Sequence, residues 1–367
     1  MVTDTKPRGL VVGNYCHDVL HRDGLPVAQT LGGAASFVSV ILDALSLPFL
    51  TVSKVGPDFA YSPTHPPITI PSSQTTLFHA HFGSPHPDRS LHRIRACHPI
   101  RPSDLPDGPT FAFGMAVGVA GEILPETLHK MLEICDRVFV DVQGLIRRFD
   151  SRDGSVRHVA LRESGFHHLL PRVAFLKASA DEARFVDVEE ARRCCCVVVT
   201  HGKDGSEVFC GNGAFSVAPF EAEQVDPTGA GDCFLGGFAA GIVRGLAVPD
   251  AALLGNFFGA LAVAQVGPPK LDFGLLQMVK DEMHKRKVQD IPDLERRDEW
   301  PESQKPPEQD QFYVSLVTAK AIIMCQIEES GRNLLSSPKV LEQSNVKTRL
   351  LVNSVHEEKI PIVDAKP

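Results

Sequence analysis

Short apolar runs recur along the first two thirds of the chain, each closed by turn residues and followed by a helix-length stretch. Uninterrupted apolar runs mark strands covered on both faces, and their alternation with helices marks a parallel sheet wound on both sides. The first run is residues 9–13. After a loop, residues 33–45 predict a helix of small and apolar side chains, and residues 48–55 predict the next strand. Further strands are predicted at 110–113, 137–142, 173–178 and 195–200, with helices at 125–135 and 181–193 between them. Residues 207–210 and 214–218 flank Gly211-Asn212-Gly213, whose Asn-Gly step supplies the positive φ angles of a tight hairpin. Helices follow over 229–244 and 250–266, the second with Asp250 as N-cap and Gly267 as its stop. The expected fold is α/β, a doubly wound, mostly parallel sheet with helices on both faces.

Two stretches depart from this rhythm. Residues 61–103 are rich in Pro and His and carry short alternating runs at 75–82 and 89–97, which predict a small β layer set off from the main sheet. Beyond residue 288 the chain turns polar and Pro-containing, offers one amphipathic helix at 312–327, and ends polar. The expected organisation is a domain over 1–288, with that layer inside it, and a loosely ordered extension over 289–367.

Composition narrows the partners. With 367 residues and a formal net charge of −8, the chain has no global attraction for nucleic acid or an anionic membrane, so any anion site is local. No run of about 20 apolar residues is present, and the N-terminus lacks a charged-then-apolar leader pattern, so a soluble cytoplasmic protein is expected. The nine cysteines include the consecutive Cys194, Cys195 and Cys196 but no Cys-x-x-Cys pairs, which favours reduced, mostly buried thiols over disulfides or a metal.

One string carries chemistry. Asp226-Pro227-Thr228-Gly229-Ala230-Gly231-Asp232 runs directly into Cys233, Phe234, Leu235, Gly236 and Gly237. Glycines at 229 and 231 let the backbone turn tightly and bring the N–H groups of Gly229, Ala230 and Gly231 to a helix start, a place that attracts anions. A carboxylate at Asp232 is a poor ligand for a polyphosphate. It suits the removal of a proton from an attacking hydroxyl while the neighbouring N–H groups hold phosphoryl charge. The other reading is a glycine-rich turn whose first-turn acid is favoured by the helix dipole. A Walker-type loop is absent from the sequence, and the dinucleotide fingerprint fails because Phe234 stands where its third glycine belongs.

The full string, followed by Phe234 and small residues, resembles the C-terminal hallmark of the ribokinase-like (PfkB) family of carbohydrate and nucleoside kinases. The resemblance spans roughly residues 9–285. It implies a ribokinase-like fold with a β lid, Asp232 as base, and Gly229, Ala230 and Gly231 as the anion hole. It also implies ATP and Mg²⁺, with a monovalent cation as a further possibility within the family. The family's acceptor-binding Asp falls on Asp18 at the end of Gly13-Asn14-Tyr15-Cys16-His17-Asp18, with Asn14 beside it, and the family's Gly-Gly turn falls on Gly32 and Gly33. The nucleotide side is implied at Thr200, Gly202, Gly205, Asp226, Thr228 and Asn256. The metal-related Asn-x-x-Glu element matches Ser179-Ala180-Asp181-Glu182, in which Glu182 agrees and Ser179 departs from Asn. Phe37 replaces another Asn of the family, which points to an acceptor other than ribose.

Within the family, Asp141-Val142-Gln143-Gly144-Leu145-Ile146-Arg147 is most similar to the plant branch acting on myo-inositol, as are Val248 to Asn256 and Gly267-Pro268-Pro269-Lys270. Gln143 and Arg147 thereby join the implied substrate contacts, with inositol 3-phosphate as product and a place in phytate synthesis. Another sugar or nucleoside kinase, or a catalytically silent ligand-binding relative, are the alternatives. The partners implied are a small polyol and ATP, with no nucleic acid and no membrane, and with monomer and homodimer both open.

Overall fold

The computed structural model describes residues 9–82, 90–108, 110–211 and 213–271, with a few isolated positions further on. The expected extension, its helix at 312–327 included, lies almost wholly outside them. The chain divides into two compact units, Met1–Pro269 with Arg286–Lys305, and Lys270–Lys285 with Pro306–Pro367. The elements described here all belong to the first.

In chain order the strands are β1 (Gly9–Val12), β2 (Cys16–Arg22), β3 (Leu25–Gly32), β4 (Phe49–Val52), β5 (Lys54–Val55), β6 (Ile68–Thr69), β7 (Thr76–Phe82) and β8 (Ser90–Arg95). They continue as β9 (Phe113–Ala116), β10 (Val138–Asp141), β11 (Arg147–Phe149), β12 (Val156–His158), β13 (Phe175–Ser179), β14 (Cys196–Thr200), β15 (Ser206–Cys210) and β16 (Gly213–Val217). The helices are α1 (Ala34–Ala44), α2 (Pro125–Ile134), α3 (Gln143–Ile146), α4 (Ala180–Ala183), α5 (Val188–Ala191), α6 (Ala230–Val243) and α7 (Val248–Val263).

The main sheet has eight strands in the order β16-β15-β14-β13-β10-β9-β1-β4, parallel from β4 to β14 and antiparallel at the β15–β16 hairpin. Strands β1, β9 and β10 are buried at every position, as the unbroken apolar runs require. Leu10, Val12, Val140, Leu176 and Val197 join Leu128 and Met131 of α2 in one cluster. On the opposite face Phe139 and Phe175 stack at 5.0 Å and meet Phe238 of α6 edge-on. Helices thus cover both faces, and the α/β, mostly parallel architecture holds. The chain passes from β1 to β4 on one side and returns to β9 on the other, so the C-terminal ends of β1 and β9 flank the switch point where open α/β sheets receive ligands.

Several local expectations shift. The strand expected at 110–113 begins only at Phe113, where the chain starts to pair with β1 and β10. The helix expected at 181–193 is two single turns, α4 and α5, because Asp187 accepts from the Glu190 N–H and starts a new helix. Helix α7 begins earlier than Asp250, with Ala247 at its cap and a proline in its first turn, and it stops short of Gly267. Among the cysteines, Cys196 and Cys210 form a disulfide, contrary to the expectation of reduced thiols throughout. The antiparallel β14–β15 pairing brings their Cα atoms to 4.5 Å, close enough for the bond. Cys16, Cys97, Cys135 and Cys233 are free, buried thiols.

The larger difference is the lid. The stretch after β1, expected as a loop, is the hairpin β2–β3, turned by Asp23 and Gly24 with φ of 51° and 80°. An Asp-Gly step with two positive φ angles is a signal for a two-residue hairpin. Strands β7 and β8, from the Pro- and His-rich stretch, complete a four-stranded sheet in the order β3-β2-β7-β8. Arg93 of β8 lies over the Phe149 ring, 3.7 Å from its centroid, and donates to the Ala120 carbonyl.

Candidate active site

Helix α6 starts on Gly229, which is left-handed with φ of 78°. A side chain there would collide with the Phe37 ring, so glycine is required twice over, by conformation and by space. Phe37 is fully buried in α1 beneath this turn. Its ring is the floor of the turn. The first N–H groups of a helix have no intrahelical acceptor. The Ala230 N–H, one of the three expected anion-hole donors, makes a long bond of 3.3 Å to the Pro227 carbonyl.

Asp232, in the first turn of α6, faces a group of buried charges from the strand ends. Gln143, at the start of α3 directly after β10, donates from Nε2 to Asp232 Oδ1 at 2.9 Å. Lys177 of β13 donates from Nζ to Asp141 Oδ2 at 3.0 Å, both nearly inaccessible to solvent. A Cβ on Gly231 would stand 2.7 Å from Lys177 Nζ, so the second glycine of the turn clears room for the ammonium. Arg147, at the start of β11, pairs with Glu182 at 3.5 Å.

Three carboxylates therefore share two cations, and the titration follows from that imbalance. Burial pushes the Asp232 carboxyl above its usual value, against the pull of Lys177, Arg147 and the Gln143 hydrogen bond. Burial also raises Asp141, to about 6, although Lys177 opposes it. Glu182 goes the other way. Burial acts against its charge, but Lys177, Arg147 and the Ser179 hydrogen bonds win and hold it at about 2. A raised Asp232 is nearer the working pH of a general base than an ordinary aspartate is.

Glu182 is buried. It closes a capping box on α4: Ser179 N donates to Glu182 Oε2 at 2.9 Å, and Glu182 N donates to Ser179 Oγ at 3.3 Å. Serine in place of the family's Asn thus serves as the N-cap.

On the acceptor side, Asp18 lies on β2 and is almost fully buried. A Cβ at Gly32 would run into its carboxylate, so Gly32 is the space Asp18 occupies. Gly33 caps α1 with φ of 89°. Asn14 does not join them. It is fully buried, its Oδ1 accepts from the Lys54 N–H at 2.8 Å, and its Nδ2 donates to the His98 carbonyl at 3.2 Å. Its amide ties the chain after β1 to β5 and to the chain after β8.

The residues implied on the nucleotide side divide similarly. Thr200 ends β14, and Gly202, with φ of 59°, has open space where a Cβ would lie. Gly205 packs against the Val217 carbonyl at the base of the β15–β16 hairpin. Asp226 is buried and accepts from the Thr228 N–H at 2.9 Å, shaping the turn that enters α6. Asn256 donates to the Val217 and Ala218 carbonyls at 3.2 and 2.8 Å, fixing α7 to the end of β16. The Asp226 and Asn256 side chains hold the turn into α6 and the α7–β16 packing. Lys177 and Asp141 carry no assignment in the sequence. Their signal there is a lysine inside an apolar strand and an aspartate closing another, two charges that an all-buried parallel sheet tolerates only as partners.

A glycine turn opening a helix over the C-terminal rim of a parallel sheet, with a raised carboxylate in its first turn, defines an enzyme that transfers a phosphoryl group to an alcohol. The pfkB family carbohydrate kinase profile matches residues 132–270. Inositol 3-kinase of Arabidopsis thaliana is 58% identical over 287 residues, covering 77% of this chain and 81% of that protein. Inositol 3-kinase of Zea mays is 58% identical over 292 residues, covering 74% and 76%. Among solved structures, a pyrophosphate-dependent kinase of the ribokinase family complexed with a pyrophosphate analogue and myo-inositol superposes with a TM-score of 0.61 at 17% identity, covering 71% of this chain and 97% of that one. This chain belongs to the pfkB family of carbohydrate kinases. No helix among the described residues is long and apolar enough to cross a membrane.

Proposed function

We propose that this chain is an ATP-dependent kinase that phosphorylates one hydroxyl of myo-inositol to give inositol 3-phosphate, an early step toward phytate. The observation that carries this reading is the contact of Gln143 with Asp232 at 2.9 Å. It joins the run most similar to inositol-acting relatives to the base itself. The 58% identity to a plant inositol 3-kinase supports the same acceptor.

The chemistry asked of the residues is modest, since phosphoryl transfer is helped mainly by positioning and by stabilising charge. Asp18 accepts hydrogen bonds from polyol hydroxyls and orients the ring. Asp232 takes the proton of the attacking hydroxyl as its oxygen bonds to the terminal phosphorus and ADP departs. Gln143 holds Asp232 Oδ1 and so leaves the other oxygen to the acceptor. The N–H groups at the start of α6 and the Lys177 ammonium beside Gly231 offset the phosphoryl charge.

Mg²⁺ fits through water. Glu182 is held ionised, but Oε1 already meets Arg147 and Oε2 the Ser179 N–H, which suits a cation that keeps several of its waters. When bound, Mg²⁺ would neutralise charge on the donor phosphates. A monovalent cation, a cytoplasmic location and a monomer or homodimer complete the proposal. Every residue given a role here lies upstream of residue 288, so truncation after residue 290 should leave phosphorylation intact, as a coupled ADP assay would register.

The deciding experiment incubates the purified full chain with ATP and Mg²⁺ and a panel of myo-inositol, ribose, fructose and adenosine, read by phosphorus NMR. A single product phosphorylated at the 3-position of inositol is expected. Faster turnover of a sugar or nucleoside overturns the acceptor, and absence of ADP formation with every acceptor overturns the kinase.

A further inference from the structure

The histidines of the lid are untouched by the reaction just described. Strands β2 and β7 run parallel in a register that sets His21 opposite His81 and Val19 opposite His79. Side chains two apart share a face, so His21, His79 and His81 stand together. That face is opposite the one carrying Asp18. The ring centroid of His21 lies 4.6 Å from that of His79 and 4.5 Å from that of His81. One ring nitrogen from each of the three falls within 4.8 Å of the others.

We propose that His21, His79 and His81 form a transition-metal site of the Zn²⁺ class on the outer face of the lid sheet. Both ring nitrogens of His21 are shielded from solvent and have no hydrogen-bond partner. A buried imidazole with neither donor nor acceptor satisfied is costly, and a metal satisfies one nitrogen directly. Three imidazoles side by side cannot all carry charge, and metal ligation requires the neutral ring. The surroundings push the same way: burial and the neighbouring histidines lower the proton affinity of His79 and of His81. Zinc–nitrogen bonds of roughly 2.0–2.1 Å place tetrahedral ligands about 3.3 Å apart. The three nitrogens, now within 4.8 Å of one another, would have to draw about 1.5 Å closer to ligate one ion. Three imidazoles leave a fourth position for water, and the all-nitrogen set suits Zn²⁺, Cu²⁺ or Ni²⁺ better than Mg²⁺ or Ca²⁺. His92 of β8, whose ring is 5.4 Å from that of His81, borders the site and contacts the Asp153 carbonyl through Nδ1. The ion clamps β2 to β7 directly behind Asp18, so its expected consequence is a stiffer lid and not a new reaction.

The test is a titration of the tag-free, chelator-stripped full chain with ZnCl₂ by calorimetry, a readout independent of kinase activity. One equivalent should bind with micromolar or tighter affinity. His21→Ala and His79→Ala should each weaken it at least about 10²-fold, since even the outer partners of a metal ligand are worth 10- to 100-fold. The exposed His129, paired with Glu133 on α2, supplies the control, and His129→Ala should bind as wild type does. Co²⁺ substitution in the wild-type chain should give a spectrum without the sulfur-to-metal charge transfer of a thiolate ligand. It needs no variant to fold, as does protection of wild-type histidines from acylation by saturating Zn²⁺. Failure to bind Zn²⁺, unchanged affinity in folded His21→Ala and His79→Ala, a thiolate band, or unprotected histidines would each overturn the site.

Discussion

The eight-stranded sheet and the four-stranded lid each present one carboxylate to the proposed reaction, and they hold it differently. Asp232 stands over the rim of a sheet covered on both faces, where Asp141, Lys177, Glu182 and Arg147 are also gathered. Asp18 stands on a strand with two unlike faces, one toward Gly32 and the interior and one lined by histidines. Toward the C-terminal rim of the large sheet, the buried charges Asp141 and Lys177 are mutual partners, so they are concentrated and their titrations are linked. In the lid, a step of one residue changes the face, so recognition and a second, unrelated cluster sit back to back. The pattern separates proton transfer, which depends on a fixed balance of buried charge, from acceptor recognition, which depends on the placement of one side chain.

That separation can be broken at defined points. Lys177→Met strands Asp141 in a dry interior and should cost about 3–5 kcal/mol, measured by urea unfolding, as removal of one member of a buried pair does. Adding Asp141→Leu should recover much of the loss, and a double variant as unstable as the single would show that the pair is not what the rim balances. Glu182 gives the next largest effect. Its folded value of about 2 is depressed, so its contribution is complete above the usual carboxylate range and is lost as pH falls toward 2. Up to about 3 kcal/mol of stability should disappear across that window. Glu182→Gln should flatten the acid limb of the stability profile, and a Mg²⁺ titration of turnover should shift to higher concentration.

Asp232→Asn should keep the fold while turnover falls at least about 10²-fold, the usual size for removing a positioned base. Unchanged turnover would return Asp232 to a structural first-turn acid. The smallest expected effect belongs to the lid: Asp18→Asn should raise the acceptor KM about 10-fold, near 1.5 kcal/mol for a hydrogen bond to a charged group, and leave the ATP KM unchanged. Equal effects on acceptor and nucleotide would erase the division of labour between the sheets.

Much of this was legible in the chain. The order of strands and helices, the Asn-Gly hairpin and the glycine turn before Asp232 follow from periodicity and turn chemistry, which act over a few residues. The β2–β3 hairpin was written at Asp23-Gly24, but its histidines and short polar residues masked the alternation. Other features had no local trace. Gln143 and Asp232 are 89 residues apart in sequence, and Lys177 and Asp141 are 36 apart. Their contacts exist because neighbouring parallel strands deliver their C-terminal ends to one rim. Likewise only packing shows that Phe37 floors the Gly229 turn, that Asn14 is spent on backbone, and that three lid histidines converge. The sequence by itself determined which elements form and which residue types could do the chemistry, since those depend on local conformation. The tertiary structure decided which charges meet, and with that which carboxylate is raised and which is held down, since proton affinity depends on burial and on neighbours brought from distant parts of the chain.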